Sequence, residues 1–332
     1  MRAMEQRPTD LHDDALRECL ADWGIDAATL AYAPVGFGDH HWTAVGSDGR
    51  RWFVTVADLA HKWHCGATPP DAYQGLRRAM DTAAALREAG LEFVVAPVRT
   101  AGGGTVRPLG ERYAVSVFPF LDGSAGAFGE RLGDADRRLV IDVLAELHRQ
   151  PPPGEVPVPS PQPSARAGLE RALAELGEPW HGGPFAERSR ALFADRAEVL
   201  RRSLAAFDRL AADVAADGPV LVVTHGEPHS ANLLRQDGGF RLLDWDTVGL
   251  AVPERDLWQV AEGSDDLARY AEATGRRPDP LALELYRRRW ALEDVAEYAA
   301  WFRAPHGRTP DTELAWNGLV DTLDRLGEDD QG

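Results

Sequence analysis

The chain almost lacks lysine. Lys62 is the single lysine among 332 residues, and the other 35 basic residues are arginines. Any chemistry that needs a primary amine therefore has one candidate. Cysteine is scarce as well. Cys19 and Cys65 share no metal-site or disulfide-framework spacing, so a reducing, cytoplasmic setting is expected. No apolar run approaches the roughly 18 residues of a membrane helix, which argues against a membrane role. The opening MRAMEQRPTDLHDD is polar and acidic, without the apolar centre of a secretory signal. Positive charge is short: 36 Lys and Arg face 53 Asp and Glu, a net charge of −17. That balance argues against nucleic acid, whose phosphates demand a basic face. It favours a small cationic partner through long-range attraction, or serves solubility alone. The acidity is concentrated late, with 12 Arg against 23 Asp and Glu from Asp217 onward.

What is present is the profile of a globular protein, 44% hydrophobic and 27% charged, and long enough for two lobes. Apolar spacing predicts a helix over 11–23. Three strands follow in PVGFGDHHWTAVGSDGRRWFVTVADL, with turns at Gly36–Gly38 and Ser47-Asp48-Gly49 and the third strand over Trp52–Val56. An Ala-rich helix is predicted over 71–89, closed by Gly90, then strands at Phe93–Val98 and Tyr113–Phe118. After Leu121-Asp122-Gly123 a helix is predicted over 134–149. The Pro-rich stretch 150–164 reads as a rigid surface insertion. Helices at 165–177 and 186–215 precede short strands at Val220–Thr224 and Phe240–Leu243. The remainder reads as helical over 255–262, 264–274, 280–302 and 311–326.

Between the two short strands lies VVTHGEPHSAN. Glu227 is followed five residues later by Asn232, and Asp244 closes the next strand in LLDWD. Phosphoryl transfer asks a protein mainly to orient an acceptor hydroxyl with a carboxylate and to hold Mg²⁺ with oxygen ligands. Glu227, Asn232 and Asp244 supply those groups. His225-Gly226-Glu227-Pro228-His229 also suggests zinc, but its order is not H-E-x-x-H, and Gly226 and Pro228 oppose the helix such a site needs. Ser230 lacks a nucleophile-elbow pattern. His61, His64 and Cys65 carry ligand atoms close together, yet without a second cluster a solvated loop is expected. His40-His41-Trp42 is compatible with packing or with lining a cleft.

VVTHGEPHSANLL…FRLLDWDTVGLAVPERDLW resembles the motifs of the aminoglycoside phosphotransferase and choline-kinase-like family, distant relatives of protein kinases. The likeness extends over roughly residues 30–260. It implies an α+β, bilobal protein-kinase-like fold: a nucleotide-binding lobe over 1–118 with a small antiparallel sheet and one helix, a hinge at 119–123, and a mainly helical catalytic and substrate-binding lobe over 124–332. It implies that Glu227 takes the catalytic-base position, that Asn232 and Asp244 bind Mg²⁺, and that Asp256 buttresses the loop. It casts Asp246 as a supporting or substrate contact and His225 as the structural loop histidine. Gly36 and Gly38 resemble the nucleotide-covering turn. VSVFPFLDG resembles the hinge, with the Pro119 carbonyl and the Leu121 N–H turned to the base of ATP, GTP being the alternative donor.

Two departures stand out. Thr55 occupies the strand position where the family carries its phosphate-binding lysine, and Lys62 stands seven residues later; if Lys62 binds phosphate, Asp81 on the following helix is the expected orienting acid. Glu227 replaces the usual Asp, which moves the carboxylate by about 1.5 Å on a fixed backbone, and misplacement of about 1 Å can cost ~10²-fold in rate. A nucleotide-binding pseudokinase is therefore the alternative to an active enzyme. In the family, acids on the C-terminal helices hold amino groups of cationic acceptors. Glu293, Asp294 and Glu297, with Trp290 and Trp301 as flat walls, are the candidates, and RWALEDVAEY…WFRAPH most resembles spectinomycin phosphotransferases. The expected acceptor is an aminoglycoside or aminocyclitol antibiotic, with another antibiotic or a small metabolic alcohol as alternatives, and the expected state is a monomer or weak dimer.

Overall fold

The computed structural model describes residues 7–36 and 38–329, so Phe37 of the glycine turn and the first six residues lie outside it. The chain forms two compact units. One joins the chain up to Pro159 with Val220–Pro278, and the other joins Ser160–Pro219 with Asp279 onward. The first switch of unit falls inside the Pro-rich stretch, while the 119–123 segment lies within the first unit.

In chain order the elements are α1 (Asp13–Leu20), β1 (Ala27–Ala33), β2 (Asp39–Gly46), β3 (Arg51–Asp58), α2 (Pro69–Glu88), β4 (Arg107–Leu109), β5 (Tyr113–Pro119), β6 (Ser124–Ala125) and α3 (Asp134–His148). Then come α4 (Arg166–Ala174), α5 (Ala186–Asp195) and α6 (Ala197–Ala216). They are followed by β7 (Val222–Thr224), β8 (Leu233–Gln236), β9 (Gly239–Leu242), β10 (Gly249–Ala251), α7 (Glu254–Val260), α8 (Ser264–Thr274), α9 (Pro280–Arg303) and α10 (Pro310–Asp329). This is the α+β, protein-kinase-like fold expected from the motifs.

The five-stranded antiparallel sheet has the order β1-β2-β3-β5-β4. Its register aligns Trp42 with Val54 and Val54 with Val117. Side chains alternate faces along a strand. One face therefore presents Trp42, Ala44, Val54, Val56, Val115 and Val117, all buried against Leu16 and Leu20 of α1. Each fully buried valine or leucine there contributes about 1.5–3 kcal/mol. The opposite face carries Asp39, His41 and Thr55, since His41 pairs with Thr55 and Asp39 with Ala57. The pattern that builds the core thus also sets polar groups side by side on the other face.

The segment 59–68 crosses from β3 to α2. Asp58 caps a 3-10 turn over Leu59–His61 by accepting from Ala60 N at 3.1 Å, and Thr68 caps α2 with Pro69 in its first turn. Gly75, inside α2, lets this segment approach: a Cβ there would stand 1.9 Å from the Cys65 carbonyl oxygen.

Three predicted elements differ. The strand expected at Pro34-Val35, before the glycine turn, lies earlier, as β1 at Ala27–Ala33, because Pro34 has no N–H to give the ladder. Phe93–Val98 is buried but is not a strand. It makes one parallel bridge, Val94 with Leu242, and its hydrogen bonds are divided between β9 and β5 (Val95 N to Leu242 O, 3.0 Å; Val98 N to Val117 O, 2.7 Å). Pro97 has no N–H to extend a ladder. The predicted helix 186–215 breaks at Arg196 (φ −99°, ψ 6°), where the sequence has no Gly or Pro to announce a stop.

In the second unit α9 packs on α4, α5, α6 and α10. Leu285, Leu292, Val295, Ala299 and Phe302 of α9 are buried there.

A Gly→Ala change inside a helix ordinarily stabilises by about 1 kcal/mol. Gly75→Ala is expected to do the reverse, because the methyl group has to push back the backbone of the Lys62 segment at a cost of about 1–3 kcal/mol. Urea denaturation reads the sign; a stabilised variant would contradict the close approach.

Candidate active site

The loop after β7 is held by one buried acid. The Asp256 carboxylate, at the start of α7, accepts from His225 N at 2.7 Å and Gly226 N at 2.6 Å. His148 Nε2, from the last turn of α3, lies 3.0 Å from the same group, and its Nδ1 lies 2.8 Å from the Tyr270 hydroxyl. Burial alone would raise the Asp256 pKa, but the His148 hydrogen bond, with His148 and Arg255 nearby, holds it below the usual carboxylate range. Gly226 has φ +104°, and a Cβ there would meet the Arg255 guanidinium at 2.5 Å, so the loop needs glycine. Arg255 in turn donates to Thr224 Oγ1 and Thr247 O, both at 2.8 Å. His225 has a structural place: its Nε2 lies 2.7 Å from Leu243 O, its Nδ1 accepts from Glu227 N at 3.2 Å, and its ring packs edge-on to Trp245.

The second short strand of the sequence reading, now β9, does not pair with β7. β7 pairs with β10, and β9 pairs with β8, which the sequence reading had missed. The hairpin β8–β9 does the joining: Leu233 faces Leu242, and Leu243 N donates to Asn232 O at 2.9 Å. Asn232 and Asp244 are thereby brought to one end of the hairpin. Asn232 Nδ2 donates to Glu227 O at 3.0 Å, which leaves Oδ1 as the side chain's available acceptor. Asp244 adopts φ +58°, an uncommon backbone for a non-glycine residue and one that clusters at functional sites.

The charges around this end are unbalanced. Lys62 is buried and bridges two acids, with Nζ 2.5 Å from Asp246 Oδ2 and 2.9 Å from Asp39 Oδ2. His64 Nε2 is 3.1 Å from the same Asp246 oxygen. Burial opposes charge on Lys62, yet Asp246, Asp39 and Asp244 hold its pKa well above the ordinary lysine value; His64 is likewise held up by Asp246 against burial. Burial alone would raise Asp246, but its two cations hold it well below the carboxylate range. Asp244 behaves oppositely. Although its side chain reaches solvent, the surrounding protein raises its pKa, and Asp246, Asp39 and Glu227 raise it further. Glu227, 35% exposed, is raised by desolvation and by Asp246. Four carboxylates thus converge on two cations.

Not every predicted residue joins this cluster. Asp81 is elsewhere: it accepts from Thr105 Oγ1 at 2.9 Å and pairs with Arg77 and Arg99, so the acids on Lys62 are Asp39 and Asp246 instead. Thr55 meets His41 Nδ1 at 3.2 Å, and a Cβ on Gly36 would lie 2.9 Å from His41 Nε2. His41 therefore fills the space beside the position where a strand lysine would stand. Burial, with Lys62 and His40 near, pushes the His41 pKa down to about 3, so it supplies no charge there at neutral pH. Gly36 and Gly38 have φ +72° and +94°. Pro119 ends β5 opposite Trp52, and Pro119 and Leu121 line a 460 Å³ recess with Val95, Val98 and Arg87; its lining includes none of Lys62, Glu227, Asn232 or Asp244.

In the second unit Glu293 is already engaged. It accepts from Ser164 N at 2.8 Å, from the Ser164 hydroxyl and from Ala165 N at the start of α4, and pairs with Arg289. A carboxylate suits a helix N-terminus, which is why it is drawn there rather than left for a ligand. Asp294 and Glu297 lie near Tyr298, whose hydroxyl is pushed up to about 12 by burial and by these acids. Trp301 stacks on Phe302. Sequence reasoning missed Asp39 and His148, and it expected His64 in a solvated loop, whereas that segment is drawn in by the pairing of Lys62 and His64 with Asp246. Asp39, directly after Gly38, was the one with a positional signal.

The loop after β7 is clamped by a buried acid and stands beside Asn232 and Asp244, an arrangement that phosphoryl transfer can use. The chain belongs to the phosphotransferase enzyme family (APH), whose sequence profile matches residues 36–301. It is a phosphotransferase. It is 30% identical over 247 residues to Protein StrN of Streptomyces griseus, covering 71% of this chain and 73% of that protein. It is similar in fold to a spectinomycin phosphotransferase solved with ADP and spectinomycin (TM-score 0.74, 17% identity, 98% of this chain and 100% of that one). It is also similar in fold to an amicoumacin kinase solved with AMP-PNP and Ca²⁺ (TM-score 0.58, 12% identity, 96% and 94%).

Replacing Asp256 by Asn leaves a buried donor facing donors, an expected loss of about 2–4 kcal/mol at neutral pH. Because the folded Asp256 pKa is depressed, its contribution is present above the unfolded value of about 3.9 and is lost as pH falls through the folded value. The wild-type advantage in urea denaturation should therefore shrink below about pH 4. An advantage independent of pH would contradict the charged clamp.

Proposed function

We propose that the chain transfers the γ-phosphoryl group of ATP to a hydroxyl of an aminoglycoside or aminocyclitol, spectinomycin first, with Mg²⁺ as cofactor, in a reducing cytoplasmic setting, and that it confers resistance to that antibiotic. The observation that carries this reading is the meeting of Glu227, Asn232 and Asp244 at one end of the β8–β9 hairpin.

The donor set fits the metal. Among the described residues no three His, Cys, Asp or Glu side chains form a metal-binding group, and the Asp244 carboxylate takes part in no hydrogen bond or ion pair. Mg²⁺ typically takes one or two protein oxygens and completes its shell with phosphates and water, so Asp244 and Asn232 Oδ1 would suffice. Held by Asp244 and Asn232, it would neutralise charge on the β- and γ-phosphates. The excess of carboxylates over cations fits a site built to accept a divalent ion.

The chain's own groups then divide the work. Glu227 orients the acceptor hydroxyl and takes its proton as the acceptor oxygen bonds to the γ-phosphorus and the bond to the bridging oxygen of ADP breaks. A raised pKa suits a general base, since an ordinary carboxylate near 4 is a weak proton acceptor. Lys62 supplies the phosphate-directed cation from outside the strand. The acidic chain favours a cationic acceptor, and the fold likeness to an aminocyclitol kinase over nearly the whole of both chains supports that choice.

ATP turnover screened over aminocyclitols, aminoglycosides and small alcohols, with mass analysis of products, should yield a phosphorylated aminocyclitol or aminoglycoside. Absence of such a product from every antibiotic of these classes would sink the acceptor assignment. Asp244→Ala should abolish turnover, and Glu227→Ala should lower kcat by about 10²-fold or more. Full activity in either variant would remove that residue from its role.

A further inference from the structure

Lys62 is held from two sides, and the two acids that hold it are not equivalent. Asp246 has a second cation in His64, at 3.1 Å. Asp39 has no second cation in contact: among the described residues only Lys62 lies within ion-pair distance, at 2.9 Å, through Oδ2, and His64 acts on it only from farther off. The other oxygen, Asp39 Oδ1, is buried with no hydrogen-bond partner. Both side chains of the pair are nine-tenths buried or more, so neither charge is screened by water.

The positions matter as much as the charges. Asp39 opens β2 directly after Gly38, on the face of the sheet that also carries His41 and Thr55. At Thr55 the place of a strand lysine is taken by the Thr55–His41 contact. On α2 the place of an orienting acid is taken by Asp81, which is committed to Arg77, Arg99 and Thr105. Both halves of a lysine–acid pair are therefore missing from those positions, and both reappear together in Lys62 and Asp39.

We propose that Asp39 is the positioning residue for Lys62, and that on nucleotide binding Lys62 exchanges Asp246 for a phosphate oxygen while keeping Asp39. Asp246 remains neutralised by His64 when the ammonium leaves it. Asp39 would be left buried and without a cation, so it is the partner that is kept. A consequence is that the backbone after the glycine turn moves with the ammonium that grips the phosphates. The proposal rests on the phosphotransferase reading above.

The test is calorimetric titration of AMP-PNP with Mg²⁺ into the full chain and the variants D39N, K62A and D39N/K62A, with melting curves to establish folding. A charge-assisted hydrogen bond supports an effect of roughly tenfold or more, so K62A should weaken Kd by about that factor and D39N by a substantial part of it. The double variant should bind no worse than K62A, because Asp39 acts only through the lysine. In turnover, D39N should raise KM for ATP more than it lowers kcat, which a merely structural role would not separate. If D39N does not fold, D39S, which also removes the charge, carries the same expectation. Wild-type affinity in the folded Asp39 variant, or losses that multiply in the double variant, would overturn the proposal. A wild-type chain that binds no nucleotide would overturn the phosphotransferase reading as well, and that result is distinct from the other two.

Discussion

The buried carboxylate of Asp256 is the constraint from which the site is built. Two consecutive backbone N–H groups, His225 and Gly226, end on it, so the loop after β7 has one permitted path. That path fixes the peptide of Glu227, and Glu227 O receives the Asn232 amide, which orients the next candidate ligand. The β8–β9 hairpin then carries the same order to Asp244. A charge with no water around it survives because three donors meet it, and His148 adds a long-range tie to α3.

Around that scaffold the electrostatics are left unfinished. Asp246 is neutralised twice over, while Asp244, Glu227 and Asp39 keep carboxylates raised above their ordinary values. Such a cluster is costly in a folded chain with nothing bound, and functional sites are where that cost is commonly tolerated. The scarcity of lysine sharpens the point, since one ammonium is shared between two acids.

Much of this was legible in the sequence because it is local. Strands β2, β3 and β5, α2 with its Thr-Pro start and Gly90 stop, and the spacing of Glu227, Asn232 and Asp244 all depend on neighbours a few residues apart. What stayed hidden depends on distant pairs. Lys62 meets Asp246 across 184 positions, and His148 meets Asp256 across 108. Asp81 was assigned to Lys62 because it lies on the right helix, but local arginines claimed it first. Glu293 is expected at a ligand because the family resemblance places substrate-binding acids on the C-terminal helices; the start of α4 uses it instead. Phe93–Val98 has strand composition, yet its hydrogen bonds were shared between two other strands.

The central claim is that the acid cluster is completed by a divalent cation brought together with the nucleotide. Titration of ADP into the metal-stripped protein, with and without Mg²⁺, measures this most directly. Binding should be strong with Mg²⁺ and weaker by about tenfold or more without it, as the carboxylates then repel the phosphates. Equal affinity in the two conditions would contradict it.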